Sequence, residues 1–472
     1  MKYFIVISLF VIPLSLSSQV NLHYFNGEIP QAVYLNPAHY PRCKVIVGIP
    51  LINGIGLQAA HSGFTYNQLF DNQNGTVAPD PDNALKKLGR KNYFQLLGEL
   101  SDLYVGIKYK DIFFNFSVRE RLRTNIFYNE DMIRLGIEGN VGFAQRHKMA
   151  SLRGSGGRFD YFRQYSIGAA YRVDDYLTLG ASLNILFGKA NMFGYTGKTG
   201  LFTDSLTYEL TITADARFNS SGPVYITTDE NGNLVNNPPD QSIADFLLNR
   251  QNKGISIDLG FVYENDDGMT YYGSILDLGL IRYKTNPVNY RASGDFVFNG
   301  IPEVREGEVF DQNYMYELVN EMYNATEDTL TNNKYTSLMP MRTYLGAQKM
   351  INDKLKAGVL LGNTFFRHHI QTYAGLHAEY KLGKHFYPMA SWSFAHRSFK
   401  NLGVGFSLEF LPFNFYMLSD NVLGFFLPRS SKSASIQFGF NLKFGCKDKI
   451  KSDNSECVWM KKGEKDYRKL VK

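Results

Sequence analysis

Five histidines fall close together in the second half of the chain, His368, His369, His377, His385 and His396. Imidazole is the commonest metal ligand and the usual general base near neutral pH. Metal binding needs ligands that converge, and these spacings follow no ligand motif, so rim or surface positions are expected and no metal or cofactor is implied. Serines and carboxylates are plentiful, but no local pattern pairs a nucleophile with its base, so an enzyme is not expected. Neither Asn36-Pro37-Ala38 nor the glycine-rich stretches have the strand, glycine loop and helix that cradle a phosphate. Three cysteines, Cys43, Cys446 and Cys457, are too few for a dense disulfide framework or a four-thiolate zinc site.

With little local chemistry, the elements that position the side chains carry the argument. Aromatic residues make up 15% of the 472 residues and glycine contributes 42, while charged residues reach only 20%. Disorder requires few aromatics and collagen a strict glycine period, so both are excluded. The formal charge of +6 is not gathered into a dominant basic tract, and no nucleic-acid partner is expected. Lys2, the apolar run Phe4 to Ile12, and the small residues Ser15, Ser17 and Ser18 form the charged, apolar and small-residue order of a secretory signal. Residues 1–18 are read as that signal, and no later stretch offers 18 consecutive apolar residues.

The rest of the chain repeats a period of two. Leu103, Val105, Ile107 and Tyr109 alternate with Tyr104, Gly106 and Lys108; after Lys110-Asp111 the pattern resumes as Ile112, Phe114, Phe116 and Val118. The same alternation appears in 166–187, 355–361 and 402–410, with further candidate strands that include 93–100, 131–146, 203–219 and 413–422. Strands of ten or more residues, apolar on one face and rich in glycine and small hydroxyls on the other, suit a membrane barrel better than a soluble sandwich. The fold class expected is all-β: one antiparallel transmembrane β-barrel over 44–446, most simply of 14 strands, with 16 as the alternative. Large insertions are expected near 220–254, where Ile243, Phe246 and Leu247 suggest a short helix, and near 282–340. In the second insertion, Tyr314, Leu318, Met322 and Tyr323 are candidates for a gate or a docking surface.

The final strand places Phe438, Phe440, Leu442 and Phe444 on one face and Gln437, Gly439, Asn441 and Lys443 on the other. Gln437, Gly439, Leu442 and Phe444 resemble the terminal-strand signal read by the barrel assembly machinery. Closure would make the first and last strands neighbours, so Cys43 and Cys446 would share the periplasmic rim and could pair. A Cys446–Cys457 bond or free thiols are the alternatives. Residues 19–43 are read as an N-terminal periplasmic or luminal segment. Residues 447–472, with nine Lys/Arg against five Asp/Glu, are read as a charged periplasmic tail.

Ile29-Pro30-Gln31-Ala32-Val33-Tyr34-Leu35-Asn36-Pro37-Ala38, followed by Pro41-Arg42-Cys43-Lys44-Val45-Ile46-Val47-Gly48-Ile49-Pro50, resembles the start of a Bacteroidota outer-membrane barrel family of unknown function. Phe440 to Lys447 is similar to its closing strand. Over a shorter stretch, Asn36-Pro37-Ala38 resembles the entrance to barrels of the long-chain fatty-acid transporter class and of the PorV and PorP/SprF proteins associated with type IX secretion. The resemblance implies the outer membrane as location and outer-membrane lipids and the assembly machinery as partners. It leaves two functions open: passage of a small or hydrophobic compound, or a structural or adaptor role with envelope or secretion proteins.

Overall fold

The computed structural model describes residues 21–446 apart from 74–75, 208, 223–225, 229–233, 237–241, 299–326 and 368. Fourteen antiparallel strands build the wall. They are β1 (Val45–Gly48, resuming as Ile55–His61), β2 (Lys91–Tyr109), β3 (Ile112–Asn129), β4 (Gly156–Arg172), β5 (Leu177–Thr196), β6 (Asn252–Glu264) and β7 (Met269–Tyr283). The ring continues with β8 (Met341–Met350), β9 (Leu355–Phe366), β10 (His369–Tyr380), β11 (Phe386–Ala395), β12 (Ser398–Phe410), β13 (Phe413–Ser419) and β14 (Ser433–Phe444). Each strand pairs with the next, and β14 returns to β1 through Val45↔Phe444 and Ile55↔Phe438. Closure satisfies the backbone without a free edge, which is what a strand-built wall in lipid requires.

The two faces of each strand explain the ring. On β3, Asn115, Ser117, Arg119, Arg121, Arg123 and Asn125 are buried while Phe114, Phe116 and Ile126 are exposed. The polar row faces the lumen and the apolar row faces out. Ile107, Ile167, Leu183, Leu345, Leu361 and Val404 continue the exposed apolar band on other strands. An apolar surface of that extent belongs against lipid. The protein is an outer-membrane β-barrel, crossing by strands; among the described residues no helix is long and apolar enough to cross a membrane. Tight turns such as Lys110-Asp111 lie at the end that holds Val45 and Phe444, the periplasmic end.

Several local expectations need correction. Residues 131–146 are not a strand: they form helices Glu130–Glu138 and Val141–Gln145, because the Asn129 side chain accepts from Met132 N and caps the first turn. The candidate at 93–100 is the outer part of β2. Leu210–Ser221 is a strand, but it pairs with the outer end of β5 and with Pro287–Phe298 beyond the closed ring. The region 282–340 therefore contributes sheet as well as loop. Tyr314, Leu318, Met322, Tyr323, Cys457 and the tail 447–472 lie outside the described residues. Ile243–Leu248 is helical, capped by Ser242.

Candidate functional site

The lumen is divided by height, and its periplasmic half is filled by the chain's own N-terminal segment. Residues 22–39 are buried almost throughout. Tyr24 and Phe25 pack with Tyr272, Tyr344, Leu360 and Tyr373 of the wall. Tyr24 Oη lies 3.1 Å from Ser274 Oγ, and the Phe25 ring stacks on His377 at 5.3 Å. The turn Pro30–Tyr34 docks by hydrogen bonds: Gln31 Nε2 donates to Asn441 Oδ1 (2.8 Å), and Tyr34 Oη lies 2.9 Å from Ser101 Oγ.

Asn36-Pro37-Ala38 crosses directly over β5 and β6. A Cβ on Gly180 would stand 2.3 Å from the Pro37 backbone, and one on Gly260 would stand 2.0 Å from Asn36 Oδ1. The absence of side chains there lets Asn36 Nδ2 reach Phe261 O (3.1 Å) while its Oδ1 accepts from Ala38 N (3.0 Å). At the rim, Arg42 bridges Glu28 (2.6 Å) and Glu409 (3.2 Å), and Lys443 donates to Glu409 (2.5 Å). Cys43 and Cys446 are disulfide-bonded, joining the end of this plug to the seam strand (S–S 2.09 Å).

Above the plug stands a cluster of arginines. Arg119, Arg121 and Arg123 point inward from alternate positions of β3, and Arg342 enters from β8. Three of them converge on one carboxylate. Asp277 Oδ1 accepts from Arg121 Nη1 (2.7 Å), and its Oδ2 accepts from Arg121 Nη2 (3.1 Å), Arg123 Nη2 (2.7 Å) and Arg342 Nε (2.8 Å). Asp277 is aimed inward by a β-bulge. The ladder between β6 and β7 slips by one residue at Ile257/Leu259, Asp277 takes φ 60°, and Leu276 and Asp277 are both buried although adjacent. Its N–H donates to Asp258 Oδ1 (2.6 Å). The fourth guanidinium, Arg119, pairs with Glu99 (3.0 Å) and lies over the Tyr34 ring of the plug at 3.9 Å. The four arginines, Glu99 and Tyr34 line a cavity of about 130 Å³.

A second cavity, about 600 Å³, opens above the arginines and shares Pro340 and Phe366 with the first. Its walls are largely aromatic and apolar: Phe127, Phe193, Tyr195, Met339, Met341 and Phe366. Phe127 meets Phe366 and His369 edge-on or tilted, each at 5.3 Å, and Arg367 lies over Tyr195 at 4.8 Å. A third cavity of about 480 Å³ opens at the periplasmic mouth, and it has no lining residue in common with the arginine-lined one. Plug residues line both, His23, Gln31 and Tyr34 above and Glu28, His39 and Arg42 below.

Beside the arginine-lined cavity the wall itself is irregular. Between the two parts of β1, residues 49–54 leave the ladder, with Leu51 and Ile52 exposed on the outer side and Asn53 buried on the inner side. The excursion is bonded to itself and to both neighbouring strands: Ile52 N donates to Ile49 O (3.2 Å), Leu51 N to Asp102 O (3.2 Å) and Asn53 Nδ2 to Ser101 O (2.8 Å) of β2, and Phe440 N of β14 donates to Ile52 O (3.0 Å). Asn53 Oδ1 also accepts from the plug's Gln31 (3.4 Å).

The histidines do not converge. His377 is under Phe25, His369 lines the outer cavity, His396 bonds Gln58 and Tyr93, and His385 stacks on Phe410 near the rim; His368 lies outside the described residues. Among the described residues no group of three His, Cys, Asp or Glu side chains could hold a metal ion. On β14, Leu442 and Phe444 face outward, while Gly439 and the partly buried Gln437 face inward. The arginine cluster was missed by sequence reasoning, although Arg119, Arg121 and Arg123 at a spacing of two in a strand with apolar alternates did carry a signal. Asp277 carried none.

A family model matches residues 37–420, four-fifths of the chain and nearly the whole barrel. The chain belongs to the family of unknown function DUF5723. No curated protein matches this DUF5723 member. Solved structures similar to it include a FadL homologue of Pseudomonas aeruginosa (11% identity, TM-score 0.40, covering 92% of this chain and 100% of that one). The toluene transporter TodX of P. putida is similar at 11% identity and TM-score 0.39 over 88% and 94% of the two chains. The translocator domain of the autotransporter NalP from Neisseria meningitidis follows at 8% and 0.32 over 91% and 100%. At these values the likeness supports no argument about substrate or route.

Proposed function

We propose that this barrel takes a small apolar or amphipathic compound from outside into the aromatic cavity and passes it inward around a closed plug. The observation that carries the reading is the division of the lumen. An apolar cavity of about 600 Å³ at the outer end, the size of a small-molecule site, adjoins the arginine-lined one, and the plug separates both from the periplasmic mouth. A plain pore would need a continuous polar channel, and residues 22–39 occupy its place. The excursion at 49–54, beside the arginine-lined cavity, supports a route sideways through the wall. Irregular backbone at membrane depth persists only where its polar groups are otherwise satisfied, as the N–H groups of Leu51 and Ile52 are here.

The test is extraction from native outer membranes in mild detergent, with bound small molecules and proteins both identified, alongside uptake in cells that lack the protein. A bound apolar compound, and slower uptake of that compound without the protein, are the expected results. Recovery of a stoichiometric protein partner with unchanged permeability would replace this reading with an adaptor role.

A further inference from the structure

We propose that the arginine cluster binds the acidic headgroup of an amphiphile whose apolar body lies in the outer cavity. This rests on the reading of the outer cavity as a site for apolar compounds and adds what the compound must carry at one end.

Four guanidiniums line the smaller cavity and Glu99 is the one carboxylate in that lining, while Asp277 sits behind three of the arginines. Arg121 gives both its Nη atoms to Asp277, but Arg123 gives only Nη2 and Arg342 only Nε. The remaining Nη donors of Arg123 and Arg342 have no hydrogen-bond partner among the described residues. Asn125, 1% exposed, lines the same space, and both its amide atoms lack a partner; so does Arg119 Nε. Burying the Asn125 amide and Arg119 Nε unmatched is costly, and an anion that accepts from them while also taking the open Nη donors of Arg123 and Arg342 lowers that cost.

Size agrees with charge. A space of about 130 Å³ has room for a small headgroup, and the adjoining cavity of about 600 Å³ has the room for a hydrocarbon chain. The chain would extend past Pro340 and Phe366, the residues the two cavities share. Asp277 then has a specific role. It is the anion that keeps three like-charged guanidiniums side by side, and it leaves one edge of Arg123 and of Arg342 free for the ligand.

The experiment uses the full-length protein in lipid nanodiscs and measures displacement of a neutral fluorescent probe by decanoate and by decanol, which share a chain and differ in headgroup. Decanoate is expected to bind at least tenfold more tightly than decanol. Arg342→Gln should remove most of that preference while changing decanol affinity less than twofold, and Arg342→Lys should retain part of it; folding is checked by heat-shifted gel mobility. Equal affinities of the two probes for the wild-type protein overturn the headgroup site and leave the apolar-compound reading standing. Failure of both probes to bind overturns that reading and the headgroup site together. Equal losses for both probes in Arg342→Gln would assign the arginine to packing rather than recognition. The wild-type comparison requires no variant to fold.

Discussion

The periplasmic and outer halves of the lumen share one wall and are built in opposite ways. Below, the space inside the barrel is packed with Tyr24, Phe25, Tyr272, Tyr344 and Tyr373, and the plug is tied at its rim by ion pairs and a disulfide. Above the arginines, the same strands surround a cavity of about 600 Å³ lined by aromatic side chains. The lower half is filled by plug side chains packed on the wall, with a cavity of about 480 Å³ left only toward the periplasmic mouth, and the upper half has the concavity of a binding site. Closure is therefore a property of the plug rather than of the wall, and the arginine cluster is the boundary between the two regimes.

The most direct way to break the contrast is to remove residues 21–42 while keeping Cys43. The lower half should then resemble the upper, and single-channel conductance in planar bilayers should rise at least tenfold over the intact protein. An unchanged conductance in a correctly folded variant would mean that the plug does not close the lumen.

Asp277 tests the boundary itself. Asp277→Ala leaves Arg121, Arg123 and Arg342 without their shared carboxylate, and losing one partner of a buried charge pair costs about 3–5 kcal/mol. The urea midpoint for unfolding in detergent should fall accordingly. A loss below about 1 kcal/mol would show that the arginines are solvated, and the upper half would then be wetter than its apolar lining suggests.

The two halves also differ in how far they could be read from sequence. Alternation on β3 and β14 placed the inward polar and outward apolar rows, because a strand's period of two is a local property of the chain. Fourteen strands remain once 93–100 joins β2, 131–146 turns out helical and Leu210–Ser221 leaves the ring. Alternation failed where one residue was inserted. Leu276-Asp277-Leu278 reads as an aspartate between apolar neighbours, with no sign of which face it takes, until the slip against β6 turns it inward. It failed again at 131–146, where the Asn129 cap and the helical spacing of Arg134 with Glu130 and Glu138 outweighed the apparent strand pattern. The convergence of Arg121, Arg123 and Arg342 on Asp277 depends on three separate strands, so no single segment announces it.

Phe444 separates assembly from the folded state. It faces outward at the periplasmic end of β14, where an acidic residue on the lipid side costs only about 0–1 kcal/mol. If Gln437, Gly439, Leu442 and Phe444 form the terminal signal, Phe444→Asp should lower the amount of folded protein in the outer membrane several-fold while refolding in detergent stays near normal. Normal abundance in cells would remove the assembly role.

The smallest expected effect concerns the docking of the plug as pH falls. His23 and His39 belong to the plug, outside the membrane-spanning strands, and burial pulls both down to about 4; Glu99 opposes the shift at His23 without overcoming it. In an undocked, solvated plug the same imidazoles titrate near 6.5. Between pH 6.5 and 4 the undocked form therefore takes up protons that the docked form refuses, and docking weakens by up to about 1.4 kcal/mol per pH unit for each histidine. Glu28 acts in the same direction at lower pH. Burial alone would push its carboxyl up, but Lys443 and Arg42 hold it below the ordinary range, so its contribution is present above that range and lost on further acidification. A cysteine introduced as Ala32→Cys should react faster with a thiol reagent of pH-insensitive reactivity as pH falls from 6.5 to 4, and His23→Gln with His39→Gln should flatten the profile. Reactivity that stays level or falls on acidification would sink the idea that these neutral histidines help hold the lower half closed.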